Sequence, residues 1–257
     1  MITNNFARRH NGPQPAEVEK MLKVIGVSTL DELIDKTIPE KIRFKQPLDL
    51  PEGMNEYEYF TMLKSLAAKN KMYNSYIGQG YYNTIVPAVL QRNILENPGW
   101  YTSYTPYQAE ISQGRLETLF TFQTMVCSMT AMPLANASLL DEATACAEAM
   151  LMFFASRSRQ QQKDNVCKFF VSQDLFPQSI DVIKTRALPR GIEVVVASED
   201  TTLDETFFGA ILQYPNCKGE IKDYAKFVSD AKAKGIFVAV SADLMSLALL
   251  TPPGEWG

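Results

Sequence analysis

Residues 166–198 read VCKFFVSQDLFPQSIDVIKTRALPRGIEVVVAS, and this stretch decides the fold class. Its two ends, 166–172 and 192–198, are short, nearly continuous apolar runs rich in Val, Ile and Phe, the signature of strands buried on both faces. The middle, PQSIDVIKTRAL at 177–188, opens on a proline and reads as a helix. The same alternation continues with a strand at 209–215, a helix at 220–235 and a strand at 236–242. An Ala- and Met-rich helix at 141–158 precedes it, with Asp141 and Glu142 at the end where the macrodipole favours negative charge. Apolar strands separated by helices predict an α/β domain with a mostly parallel sheet covered on both faces. Ligands of such sheets sit at the carboxyl ends of the strands. Asp243 directly follows the strand at 236–242 and so lies at that edge, where an aspartate serves a ligand and solvent equally.

Upstream of this region the pattern is helical. Val18, Met21, Leu22 and Ile25 recur at spacings of three and four, which predicts a helix over 16–25 that cannot begin earlier because of Pro13 and Pro15. Ser28 with Asp31 starts a second, short helix through Leu33, and Asn55 with Glu58 starts a third that runs to about Ala68. Residues 38–54, with three prolines, read as an extended connection. Val86, Val89, Leu90 and Ile94 suit one face of a helix that Asn97, Pro98 and Gly99 terminate. A long helix over about 109–129 is apolar on more than one side, which predicts that it lies inside the molecule. Around these two helices the stretch 78–115 is neither helix nor strand in pattern, and seven of the chain's eleven tyrosines fall between Tyr73 and Tyr107. Tyrosine joins a rigid apolar body to a polar tip, so the concentration marks either a packing layer or a surface that meets a ligand.

Composition narrows the function. With 257 residues, 46% apolar and 21% charged, the chain has ordinary globular composition. The net charge of -4 carries no long like-charge block, so neither nucleic acid nor an anionic membrane is expected as a partner. No apolar run approaches the ~20 residues of a membrane span, and the first nine residues are too polar for a signal-peptide core, which leads to the expectation of a cytoplasmic protein. The four cysteines form no CxxC pair and His10 is the single histidine, so no metal site is expected. Phosphate-loop, HExxH and GxSxG signatures are absent, and GQG at 78–80 lacks the third glycine and preceding strand of a dinucleotide fingerprint. His10 has no nucleophile placed beside it by any motif and reads as structural. The chain ends in TPPGEWG soon after a strand-like segment, which reads as a boundary inside a larger protein.

Five blocks carry a family resemblance: FARRHNGP (6–13), GQGYYNTIVPAVLQRNILENPGWYTSYTPYQAEISQGRLE (78–117), MPLANASLLDEATACAEAM (132–150), PQSIDVIKTRA (177–187) and ADLMSLALLTPPGEWG (242–257). Together they resemble the N-terminal half of the P-protein of the glycine cleavage system, the decarboxylating glycine dehydrogenases. The resemblance spans essentially the whole chain. It implies an aminotransferase-like fold, truncated at its C-terminal end, with a helical segment at 1–77, Tyr-rich loops and a long internal helix at 78–131, and the α/β domain at 132–257. It also implies pyridoxal phosphate chemistry, in which glycine loses carbon dioxide and its aminomethyl remainder passes to the lipoyl arm of the H-protein. The family has two related halves, and the Schiff-base lysine belongs to the other one. The implied partners are therefore the complementary lysine-bearing half and the lipoylated H-protein, and the implied cofactor is held by that half, with none in this chain.

On that resemblance, Asp243 matches the aspartate that pairs with the cofactor's ring nitrogen in related enzymes, here as a vestige. No catalytic residue is expected in the chain, which alone would be inactive. Tyr81, Tyr82, Asn83, Tyr101, Thr102 and Tyr104 would wall the active site of the complementary half. Arg115 would either clamp the substrate carboxylate or, more simply, brace Glu110 or Glu117. The alternative is a scaffold half that binds its sister or the H-protein without touching substrate. Two departures from the family pattern stand out: Leu175 and Phe176 replace a Cys–His pair, and Ala143 replaces a glycine at a helix start. Both suit a half released from cofactor binding.

Overall fold

The computed structural model describes residues 10, 12–46, 48–105, 107 and 110–256. Most of the FARRHNGP block, Pro47 in the extended connection, and the expected start of the long helix at Ala109 lie outside these residues. The chain divides into two units, one ending at Asn74 and one running from Ser75.

Among the described residues the first unit holds three α-helices that can be bounded, α1 (Pro15–Ile25), α2 (Leu30–Thr37) and α3 (Glu56–Ala67). Pro15 is tolerated at the first helical position because that N–H has no partner to lose. The Gln14 N–H donates to Glu17 at 2.7 Å, and Gly26 ends the helix in the left-handed region at φ 83°. Helix α2 begins one residue later than the Ser28 reading and runs four residues further. Thr29 is the N-cap: the Glu32 N–H donates to the Thr29 hydroxyl at 3.1 Å, and the Glu32 carboxylate accepts from the N–H of Ser28, the residue before the cap, at 2.7 Å. Asn55 and Glu58 form the expected box of α3. One 3-10 turn, Glu40–Ile42, interrupts the connection between α2 and α3.

The second unit is built on four parallel strands, β1 (Lys168–Ser172), β2 (Glu193–Ala197), β3 (Phe207–Tyr214) and β4 (Phe237–Ala242), in the order β2-β1-β3-β4. All three pairings are parallel. Among the described residues six α-helices accompany them: α4 (Ala88–Leu90), α5 (Gln113–Thr130), α6 (Glu142–Ala155), α7 (Arg159–Lys163), α8 (Pro177–Ala187) and, before β4, α9 (Ala225–Ala233). The core lies on both faces of the sheet. On one, Met150 of α6 and Ile183 of α8 meet Phe169, Val171, Phe208 and Ile211. On the other, Val228 and Ala231 of α9 meet Phe170, Ala210 and Leu212, closed at the end by Leu247. Strand β3 is buried along its whole length because it is paired on both sides and covered on both faces. Gly209 on β3 leaves room for two rings, since a Cβ there would lie 3.0 Å from both Phe153 and Phe169.

Two helix readings need correction. The segment VPAVLQRNILE forms one α-turn, Ala88–Leu90, and a π-turn, Gln91–Leu95, whose apolar residues stay exposed. The long helix begins at Gln113 and contains no buried residue; Phe120 is 62% exposed and Met125 55%. Its apolar side chains surround the axis, so composition records what the helix could bury, not what this chain places against it. Helix α9 also begins five residues later than expected, because residues 216–222 are drawn into side-chain bonding at the sheet edge. The short α7, not predicted, is nucleated by a capping box between Ser158 and Gln161.

Candidate functional site

The carboxyl ends of β3 and β4 open into a cavity of about 720 Å³, bounded by the N-terminal turn of α6 and by the loop around Gly80. Strand alternation puts Ile211 and Gln213 of β3, and Ala239 and Ser241 of β4, along its lining. Gln213 is almost wholly buried; its amide N–H donates to the Ser241 carbonyl at 3.1 Å, and its Oε1 has no hydrogen-bond partner among the described residues. The Ser241 hydroxyl donates to Glu142 at 2.5 Å.

The two acids that open α6 divide their work. Asp141 is the N-cap, accepting from the Thr144 N–H at 2.7 Å and the Thr144 hydroxyl at 2.8 Å, bonds that hold its carboxyl below the usual range. Glu142, one residue on, lines the cavity. One turn further, burial pushes the Cys146 thiol up to about 11, which keeps it protonated and unreactive at neutral pH.

Asp243 also lines the cavity, and its carboxylate accepts from the Tyr82 hydroxyl at 3.2 Å. Loss of water around that hydroxyl, and then the charge of Asp243, raises the Tyr82 phenol above its ordinary value. The loop that carries Tyr82 is held at two further points. Gln178 at the start of α8 donates to the Gln79 carbonyl at 2.9 Å, and Gly80, at φ 84°, lies against Phe176 so closely that a Cβ would sit 3.0 Å from the ring. Gly80→Ala should therefore lower stability by about 1–2 kcal/mol from the left-handed backbone alone. Urea unfolding of Gly80→Ala with and without Phe176→Ala checks this: relief of part of the loss in the double variant identifies the ring contact, and no loss in the single variant removes it.

The other sequence candidates divide into two places. Tyr81 and Asn83 flank Tyr82 and stay exposed. Tyr101, Thr102 and Tyr104 belong to the loop before α5, where one Arg115 nitrogen donates to the carbonyls of Thr102 at 2.8 Å and Tyr104 at 3.2 Å. Arg115 thus braces the loop through its backbone in place of Glu110 or Glu117. No hydrogen bond joins this loop to the one at 78–83 among the described residues.

A second group at the sheet edge escaped sequence reading. Asp174, buried just beyond β1, accepts from Lys222 at 2.7 Å, Lys218 at 2.9 Å and Asn216 at 3.4 Å. Lys222 also donates to Glu199 beyond β2 at 3.1 Å, and Glu199 accepts from the buried Ser172 hydroxyl. The lysines hold the Asp174 carboxyl below the usual range, and the carboxylates raise both amines. In the sequence, EIK at 220–222 reads as the first turn of a helix; with NCKG before it, its polar and charged side chains instead tie three strand ends together. Among the described residues no group of three or more His, Cys, Asp or Glu could hold a metal, and no helix is long and apolar enough to cross a membrane.

A parallel sheet of this order, with a cavity at its carboxyl edge, an aspartate at a strand end and a helix N-terminus beside it, defines an α/β protein of the aminotransferase-like class. The family model "Glycine cleavage system P-protein" matches residues 8–257, and the chain belongs to that family. It is 56% identical over 258 residues to a glycine dehydrogenase (decarboxylating) of Bacteroides fragilis, covering all of this chain and 27% of that protein. It is 55% identical over 255 residues to the glycine dehydrogenase (decarboxylating) of Nostoc punctiforme, covering 99% and 26%. The chain spans about a quarter of the length of these relatives. The fold is similar to a crystal structure of glycine decarboxylase (P-protein) of the glycine cleavage system in inhibitor-bound form, with a TM-score of 0.82 and 29% identity over 96% of this chain and 56% of that one.

Proposed function

We propose that the chain is part of the non-lysine half of a glycine decarboxylase and supports an active site belonging to the complementary half. The whole enzyme would take the carboxyl group off glycine and pass the aminomethyl remainder to lipoylated H-protein, with pyridoxal phosphate supplying the electron sink. The observation that carries this reading is the lining of the sheet-edge cavity: among the described residues it contains Glu142 and Asp243 but no Lys, Arg or His. A Schiff base needs a free lysine at this edge, and the nearby Lys218 and Lys222 are both bound to Asp174. A phosphate would need the first N–H groups of α6, where Asp141 already accepts from Thr144 and Glu142 adds a like charge. The residues present do not fit the cofactor.

The contribution of this chain is then one of enclosure. Tyr81 and Asn83 project from a loop pinned at Gln79, Gly80 and Tyr82, and Tyr101 and Tyr104 project from a loop pinned by Arg115. Fixed polar side chains can exclude water from a neighbouring site and orient a glycine carboxylate there. Tyr82 has a different part, because its hydroxyl is engaged on Asp243 of its own sheet; for this residue the scaffold reading is favoured. Arg115, bound to two loop carbonyls, is a positioning residue. In the complete enzyme, Asn83→Ala and Tyr101→Phe should each lower glycine–carbon dioxide exchange about tenfold to a hundredfold, with unchanged circular dichroism. Unchanged kinetics in both would leave the scaffold reading in its place.

A further inference from the structure

The cavity at the carboxyl ends of β3 and β4 has an unusual inventory of polar groups. Among the described residues its charged lining side chains are Glu142 and Asp243, with no basic one beside them. The donors beside these acids are already engaged: the Ser241 hydroxyl on Glu142, the Tyr82 hydroxyl on Asp243, and the Gln213 amide N–H on the Ser241 carbonyl. What remains is acceptor capacity. The most telling atom is Gln213 Oε1, an amide oxygen on a side chain 3% exposed, which has no hydrogen-bond partner among the described residues. A buried acceptor without a donor costs about 1–3 kcal/mol, so its presence beside two carboxylates calls for a ligand that brings N–H groups. Anions are opposed by the two acids, and no cluster of ligating residues suits a metal ion among the described residues.

We infer that this cavity is a binding site for a small primary ammonium group, held between Glu142 and Asp243 and donating to Gln213. The –NH3+ group has three donors and no acceptor, which complements two carboxylates and an orphan carbonyl oxygen. The Cys146 thiol and the Phe176 ring provide the less polar wall against which a short alkyl stem would lie. The site is independent of the proposed role in catalysis, because it lies on this chain's own sheet. Its ammonium could belong to a free alkylamine or to a lysine side chain of a second protein segment; the chemistry recognised is the same.

The test is calorimetric titration of the full chain with ethylammonium chloride and with Nα-acetyl-lysine methylamide, against sodium propionate and sodium phosphate as anionic controls. Saturable binding of either ammonium compound and of neither anion is expected. Tighter binding of the lysine derivative assigns a protein side chain as the natural occupant, and equal or weaker binding assigns a free amine. Glu142→Gln and Asp243→Asn preserve shape and should each weaken binding about tenfold, which is ~1.4 kcal/mol, while Asp141→Asn, one residue away at the cap, should leave it unchanged. No saturable binding of either ammonium compound, equal binding of propionate, or unaltered affinity in both variants would overturn the assignment. Activity of the complete enzyme does not enter this measurement, so its outcome is separate from that of the enclosure proposal.

Discussion

Phe208→Ala should lower the stability of the unit beginning at Ser75 by about 3–5 kcal/mol. Phe208 is fully buried on β3, the strand covered on both faces. Its ring stacks on Phe169 with centroids 5.4 Å apart and meets Phe154 edge-on at 5.3 Å. Truncation removes the ring's transfer free energy and leaves a void that the sheet cannot collapse into, because β1 and β4 are held to β3 by backbone bonds. The loss should appear as a lower urea midpoint with little change in slope. A shift worth less than about 1 kcal/mol would mean that this aromatic layer is not the centre of the fold, since even Ile→Val in a packed core costs that much.

Asp174→Ala should cost about 3 kcal/mol, the low end of the range for removing one partner of a buried ionic group. The low end applies because the Lys218 side chain is 61% exposed and its amine can return to water. Lys222 has less freedom and would keep only Glu199 as a close partner. The pH dependence follows from the direction of the shifts. The folded carboxyl of Asp174 is held below its ordinary value, so its stabilisation is complete above ~4 and is lost as pH falls through the lowered folded value. Lys222 is raised, so its share is complete below ~10 and is lost only as pH rises through the raised folded value. The difference between wild type and Asp174→Ala should therefore be constant through the neutral range and shrink below about pH 4. Urea unfolding across that range measures it, and a difference that persists unchanged at pH 2 would show that the effect is packing and not charge.

These two predictions draw on parts of the chain that were unequally legible in its sequence. Phe208 sits in a region where local pattern and tertiary structure agree: short apolar runs mark four strands, Pro177 and Asp141 mark helix starts, and helical crossovers join β1 to β2 and β3 to β4, as a parallel sheet requires. Asp174 sits where they do not. Its partners come from positions 216, 218 and 222, and only the assembled sheet edge brings them within reach of one carboxylate. The same limit explains the orphan acceptor on Gln213, since nothing local marks a glutamine on a strand as unpaired. Helix α5 failed in the opposite way: Phe120 and Met125 announce burial, yet burial needs a second surface, and periodicity carries no information about whether one is present.

Within the tyrosine-rich stretch the structure separates residues that sequence had grouped. Tyr82 donates its hydroxyl to Asp243, although it, Tyr81 and Asn83 all stay exposed; the sequence GYYN offers no way to tell which of them makes that bond. Phe176 becomes intelligible only against Gly80, where a Cβ would sit 3.0 Å from the ring and the backbone takes a positive φ that favours glycine. The loop is thereby fixed over the edge at which an aminotransferase-like sheet would present its ligand.

The account turns on whether this sheet edge holds the cofactor itself. The most direct measurement is titration of the full chain with pyridoxal phosphate, followed by borohydride reduction and peptide mapping of the pyridoxyl group. The prediction is no saturable absorbance band and no single lysine labelled above the others, because Glu142 and Asp243 line the cavity and Lys218 and Lys222 are bound to Asp174. Stoichiometric labelling of one lysine would contradict it and give this chain the chemistry assigned here to the complementary half.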